Sequence, residues 1–192
     1  RGLGDVYKRQ NICFITEFYD RSIVSLKRMK KYIHLDSRHI TCSGNVSCTK
    51  LAKYLHDNRQ PGYEFLYGIP GTIAGAISMN AGAFKKEIMP FVYSIDVIDE
   101  NGMTHTLKNN EMSYSYRECN IDEKSIIISV KLFKQIINFD KSLLNMLNQK
   151  RKTSQPINQL SCGCIFKNPS GDHAARLIDS AELKGSRAGG IY

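Results

Sequence analysis

An α+β fold is the class this sequence predicts, on three observations. Short apolar, β-branched runs joined by tight polar turns recur along the chain, as strands of hairpins do. Helical periodicity is confined to a few separate stretches, around Leu51–Leu55, Leu143–Leu147 and Ala174–Leu183. Between them lies GIPGTIAGAISMNAGA, Gly68 to Ala83, rich in Gly and Ala and free of charge, although lysines and arginines are frequent on both sides. The 192 residues, 42% of them hydrophobic, suffice for a sizeable core.

In chain order, RGLGDVYKRQ (residues 1–10) has neither strand alternation nor helical period and reads as a non-native scar outside the fold. Ile12 to Ile15 and Ser22 to Leu26 read as strands around a polar turn. Tyr32 to Leu35 and His39 to Cys42 form a further pair, with Asp36 to Arg38 as the hairpin connection. Ser47 is the expected N-cap of a helix: Val46 and Leu51 can staple it, Leu51, Tyr54 and Leu55 share a face, and Pro61-Gly62 ends the pattern. Glu64 to Tyr67 leads into the Gly-rich stretch. Beyond it, Tyr93 to Asp99 and Met103 to Leu107 flank Asn101-Gly102, a strong hairpin signal, and Ser125 to Phe133 is another strand. Lys141 to Lys152 is an amphipathic helix with a basic C-terminal end, suited to the helix dipole, and Pro156 closes it. After the small-residue loop SCGCIFKNPSG, Ser161 to Gly171, a last helix stops at Gly185.

No run of about eighteen apolar residues exists, and no charged-then-apolar leader opens the sequence, so a cytoplasmic protein without a membrane span is expected. The six cysteines are scattered and read as reduced thiols. The net charge of +9 admits nucleic acid, membrane surfaces or phosphate-bearing small molecules. No RNA- or DNA-binding signature accompanies the basic clusters Lys27 to Lys31 and Lys150 to Lys152, so a small-molecule partner is expected and nucleic acid is not. The sequence sets no oligomeric state.

The stretch GIPGTIAGA matches neither G-x-G-x-x-G nor G-x-x-x-x-G-K-[ST], which removes the simple dinucleotide fold and the P-loop. Two readings remain open. The amides of Gly71, Thr72 and Gly75 can face a phosphate or a flavin ring, or the stretch is a packed turn before a short helix. Likewise Arg117, in YSYRECNI, reads by itself as a surface arginine. Cys164 reads by itself as a small core thiol or, with Cys162, as half of a weak metal motif.

Together, GIPGTIAGAISMNAGAFKKEI, Tyr116-Arg117, Gln155-Pro156, SCGCIFKNP at Ser161 to Pro169 and LIDSAELKGSRAGG at Leu177 to Gly190 resemble, in order, the motifs of the UDP-N-acetylenolpyruvoylglucosamine reductase family. The resemblance implies an α+β flavoprotein: the second lobe of an FAD-binding domain of the vanillyl-alcohol-oxidase type over residues 11–135, followed by the start of an α+β substrate-binding domain over 136–192. It implies FAD as cofactor, NADPH as co-substrate and a UDP-sugar as substrate. On the matching positions, Asn11, Ile69, Pro70, Gly71, Thr72, Gly75, Asn80, Ala81 and Gly82 are expected to bind FAD. Tyr116, Lys167 and Asn168 are expected to bind substrate, with Lys167 and Asn168 on its diphosphate. Arg117 is expected to stabilise the developing enolate. Cys164 stands where most members carry a proton-donating serine, and a thiol is a chemically adequate acid in that place. No metal is implied. Asn11 matches the end of the family's phosphate loop, and no counterpart of its catalytic glutamate is found, so the chain reads as an internal fragment expected to lack turnover by itself. The alternatives are another FAD oxidoreductase of the same fold, or a basic nucleotide- or RNA-binding module.

Overall fold

The computed structural model describes residues 24–154 and 166–186, the former in one compact unit and the latter in a second. The strand expected at Ile12 to Ile15, Asn11, Pro156, and the loop carrying Cys162 and Cys164 lie outside the described residues.

Among the described residues, the first unit is built on a five-stranded antiparallel sheet, which reads across as β1 (Ile33–Leu35), β2 (His39–Ser43), β9 (Ile126–Phe133), β5 (Val92–Ile98) and β6 (Thr104–Lys108). Strands β1 (Ile33–Leu35) and β2 (His39–Ser43) form the first hairpin. Its turn is held by the Asp36 carboxylate, which accepts the Arg38 and His39 amides at 2.8 and 2.7 Å. The side chain of Asp36 thereby does what its residue type favours at turns, replacing ladder partners by a local acceptor. Ser47 caps helix α1 (Cys48–Asp57), accepting the Lys50 amide at 3.2 Å. The helix ends at Asn58, ahead of the expected Pro61-Gly62, because Arg59 turns into the left-handed region at φ +54. A 3-10 turn at Glu64–Leu66 leads into helix α2 (Ile73–Ser78), which occupies the middle of the Gly-rich stretch.

Two short hairpins escaped the sequence reading: β3 (Gly82–Ala83) with β4 (Lys86–Glu87), and, after the hairpin β5 (Val92–Ile98)/β6 (Thr104–Lys108), β7 (Tyr114–Ser115) with β8 (Glu118–Cys119). Two-residue strands carry too little alternation to register as a pattern. The eight-residue strand β9 (Ile126–Phe133) joins β2 to β5 and closes the sheet across a long sequence separation. Helix α3 is Leu143–Ser154, and the second unit holds α4 (Ala174–Ser180).

One face of the sheet is apolar. Ile40 and Cys42 of β2, Val130 and Leu132 of β9, and Ile95 and Val97 of β5 join Leu51 and Leu55 of α1 and Ile73 and Ile77 of α2 in one buried cluster. Each large side chain so buried contributes about 1.5–3 kcal/mol. The other face carries polar residues such as Thr41, Lys131 and Asp96, as antiparallel sheets with one solvated side do.

One expectation fails within the described residues. Of the strand expected over Ser22 to Leu26, the described part, Val24 to Leu26, is not a strand: Val24 and Ser25 are irregular, and Leu26–Arg28 is a 3-10 turn. Its carbonyls are claimed from elsewhere, since the buried Asn45 amide donates to Leu26 and Met29 at 2.8 and 2.7 Å. A side chain that satisfies the backbone in this way removes the need for a ladder.

Candidate active site

The site is assembled around the Gly-rich stretch. Its first half is stitched to the entry of α1. The Gly68 amide donates to the Thr49 hydroxyl at 3.2 Å, Cys48 donates to the Gly71 carbonyl at 3.2 Å, and Ile73 donates to the Val46 carbonyl at 2.8 Å. Thr72 caps α2 by accepting the Gly75 amide at 3.3 Å. Of the three amides expected to face a ligand, Gly75 therefore has an internal partner, whereas those of Gly71 and Thr72 make no hydrogen bond to described residues. Gly71 is exposed and has φ +104, a conformation that a residue with a side chain rarely adopts. Ile69 and Pro70, just before it, are half-buried.

The glycines differ in what they approach. A Cβ on Gly82 would stand 2.2 Å from the Lys86 carbonyl oxygen, so this glycine serves the tight β3/β4 hairpin. At Gly75 a Cβ would meet only the Thr72 hydroxyl, at 3.6 Å, and the residue is exposed. Gly71, Thr72 and Gly75 thus present two unsatisfied amides beside a strip of backbone without side chains. That surface fits a flat, hydrogen-bond-accepting group such as a flavin ring, or the phosphate of its nucleotide.

The second half of the stretch turns on Asn80, fully buried at φ +41, a region that asparagine tolerates better than most residues. Its side-chain amide donates to the Glu87 carboxylate and to the Ser115 carbonyl, both at 2.8 Å, and its oxygen accepts the Met89 amide at 3.2 Å. Ala81 beside it is buried, and Gly82 is half-buried.

The β7/β8 hairpin then brings in Arg117. Its tip is Tyr116-Arg117, with Arg117 at φ +59. The guanidinium reaches back over the stretch to donate to the carbonyls of Asn80 at 3.3 Å and Gly82 at 3.0 Å, and it lies 4.9 Å from the centre of the exposed Tyr116 ring. Two of the five N–H donors of an arginine are so engaged. The structure therefore brings Asn80, Ala81, Gly82, Tyr116 and Arg117 together.

Sequence reasoning missed three members of this assembly: Glu87, Phe84 and Arg151. Arg151 of α3 lies with its guanidinium carbon 5.7 Å from the centre of the Phe84 ring, and burial pulls its pKa below the usual arginine value. The sequence signal was there, in the basic last turn of α3, but it fits the helix dipole equally well.

In the second unit Lys167 and Asn168 are exposed. The Asn168 side-chain oxygen accepts the Ala174 amide at 3.0 Å, so it caps α4, and its NH2 group is the part suited to an anionic ligand. Asn11 and Cys164 lie outside the described residues.

This fold and this loop define a flavin-binding class of protein, and residues 10–108 match the family model described as FAD binding domain. Residues 155–192 match a second model, the C-terminal domain of UDP-N-acetylenolpyruvoylglucosamine reductase. The chain belongs to the FAD binding domain family, and it is similar to UDP-N-acetylenolpyruvoylglucosamine reductases along most of its length. It is 34% identical over 179 residues to that reductase from Fusobacterium nucleatum, covering 93% of this chain and 64% of the relative. It is 40% identical over 149 residues to the one from Streptococcus pyogenes, covering 76% and 50%. The crystal structure of the Thermus caldophilus reductase superposes with a TM-score of 0.65 at 30% identity, over 74% of this chain and 53% of that one. The chain thus spans about half to two thirds of the length of these relatives.

Proposed function

We propose that the protein carrying this chain is an FAD-containing, NADPH-dependent reductase that converts UDP-N-acetylglucosamine enolpyruvate to UDP-N-acetylmuramate, a peptidoglycan precursor, in the cytoplasm. The observation that carries the reading is the placement of Arg117: a permanent cation anchored on the Asn80 and Gly82 carbonyls, in the loop whose Gly71 and Thr72 amides fit a flavin nucleotide. No helix among the described residues is long and apolar enough to cross a membrane.

Bound FAD supplies two-electron transfer between NADPH and the enolpyruvyl double bond. The chain's own residues do the rest. Gly71 and Thr72 hold the cofactor by backbone amides, with Ile69, Pro70, Gly75 and Gly82 completing the contact surface and Asn11 assigned to it by the resemblance, while the buried Asn80 and Ala81 support the loop from beneath rather than touching the cofactor. Arg117 offers its remaining donors to the substrate carboxylate, where negative charge builds as the double bond is reduced. Tyr116 borders the same position. The Cys164 thiol donates the proton that balances the reduction, and Lys167 and Asn168 hold the diphosphate. The division into an FAD-binding domain over 11–135 and a substrate domain from 136 belongs to the same proposal.

The test is made on an intact version of the protein. It should purify with a visible flavin band and oxidise NADPH only when the enolpyruvyl UDP-sugar is present. Cys164→Ser should keep substantial activity, while Cys164→Ala should lose about 100-fold or more in the half-reaction that reduces substrate. A colourless protein, or rapid oxidation by oxygen with indifference to NADPH, would overturn the function; an unchanged rate in the alanine variant would overturn the role of Cys164.

A further inference from the structure

The Gly-rich stretch is gripped at both ends by one side chain from outside it. At its start, Gly68 has φ +82, and a Cβ placed there would stand 2.7 Å from Cδ and 2.9 Å from Nε of Arg151. The stem and head of Arg151 thus lie directly on the Gly68 backbone, in the space that a side chain would need. Just past its end, Phe84 is held at φ +54, and its ring lies 5.7 Å from the same guanidinium. Arg151 belongs to α3, remote in sequence from both contacts and outside the buried cluster of the sheet. A planar guanidinium can lie flat on a peptide and on a ring at once, which the compact ammonium of lysine cannot do.

Arg117 makes a second grip on the same segment, through the carbonyls of Asn80 and Gly82. In the chain, Gly71 to Gly75 run between Gly68, on which Arg151 lies, and Asn80, which Arg117 grips; Gly71 and Gly75 are exposed there, and their bare backbone offers the ligand surface. A loop kept open by glycines loses more entropy when it is ordered on binding, and rigid supports reduce that cost.

We propose that Arg151 is a positioning residue for flavin binding: by lying on Gly68 and Phe84 it ties α3 to both ends of the Gly-rich loop and holds the loop in its ligand-ready form. The inference rests on the flavin reading above and adds to it a residue that acts through Gly68 and Phe84. It gives α3 a task in the cofactor site beyond leading to the Cys164 loop.

The experiment uses the intact protein, stripped of flavin and titrated with FAD. Arg151→Ala should weaken FAD binding about tenfold or more, which is about 1.4 kcal/mol, with little change in the unfolding midpoint of the flavin-free protein. At saturating FAD its visible flavin band should differ in shape from that of the parent, which loss of general stability would not cause. Arg151→Lys should restore only part of the affinity. Phe84→Leu should weaken binding less than Arg151→Ala, and the double variant should be no weaker than Arg151→Ala by itself, because Arg151→Ala already removes the Phe84 contact along with that on Gly68. Parental FAD affinity in Arg151→Ala, full additivity in the double variant, or an affinity loss that merely tracks a lower unfolding midpoint would each overturn the role of Arg151. Failure of the parent protein to bind FAD would overturn the flavin reading and this inference together.

Discussion

Asn80 illustrates how much one residue can carry. Fully buried, at positive φ, it ties the end of α2 to the β3/β4 hairpin through Glu87 and to the β7/β8 hairpin through Ser115, and it also satisfies the Met89 amide. Truncation to alanine leaves a buried amide and a carbonyl without partners, so Asn80→Ala should destabilise the protein by about 3 kcal/mol, read from urea unfolding. It should also loosen the hold of Arg117, because alanine is less at ease than asparagine at φ +41 and a backbone shift there moves one of the two carbonyls that the guanidinium grips. A loss below about 1 kcal/mol would mean that water replaces these bonds readily. From the sequence, Asn80 is only one polar residue of a family motif, and its three partners lie seven to thirty-five positions away.

At the level of elements, the glycines of the first unit separate into two kinds. Gly44, between β2 and α1, packs against β9: a Cβ there would stand 2.5 Å from the Ile127 carbonyl oxygen and 3.1 Å from the Ala74 Cβ. Gly44→Ala should therefore cost about 2 kcal/mol or more by forcing β9 and α2 away from the turn. Gly75, in α2, has room for a Cβ and lies in a helix, where alanine is preferred by about 1 kcal/mol. Gly75→Ala should leave the flavin-free protein as stable as the parent or slightly more so, yet weaken FAD binding by crowding the bare backbone strip. Thermal unfolding without flavin and FAD titration together check the pair. Parental FAD affinity in Gly75→Ala would remove this glycine from the cofactor surface. The caps, turns and strands around these glycines were legible because each depends on neighbours a few residues away: Ser47 with Lys50, Asp36 with His39, and the Asn101-Gly102 turn. In the described part of the strand expected over Ser22 to Leu26, Val24 to Leu26, the expectation failed for the opposite reason, since Asn45, far along the chain, claims the carbonyls of Leu26 and Met29.

For the molecule as a whole, burial sets the behaviour at high pH. Cys42 and Cys48 sit in the core cluster, and burial pushes each thiol from an ordinary 9.0 up to about 12. Burial raises the Tyr63 hydroxyl as well, which donates to the Phe133 carbonyl. For a group whose folded pKa is raised, the folded state holds its proton while the unfolded chain gives it up. Stability is therefore complete below about pH 9 and declines as the pH climbs towards about 12. Urea midpoints should be flat near pH 8 and fall steadily above pH 9, less steeply in Cys42→Ala/Cys48→Ala. In the native protein at neutral pH, neither thiol should react with an aromatic disulfide reagent until the core opens. Rapid labelling of either cysteine in the folded protein would contradict its burial.

By itself the sequence determined the α+β class, the two longer hairpins, three of the four described α-helices and the order of motifs that carries the resemblance, because caps, turns and periodicity act over a few residues and leave a local imprint. Only the tertiary structure decided which glycines stand open and which face backbone, and it alone showed the Gly-rich stretch contacted by both Arg117 and Arg151. Those decisions depend on close approach between segments far apart in the chain. A guanidinium lying over Gly68, or donating to the carbonyl of Asn80, leaves nothing in the residues beside it for the sequence to reveal.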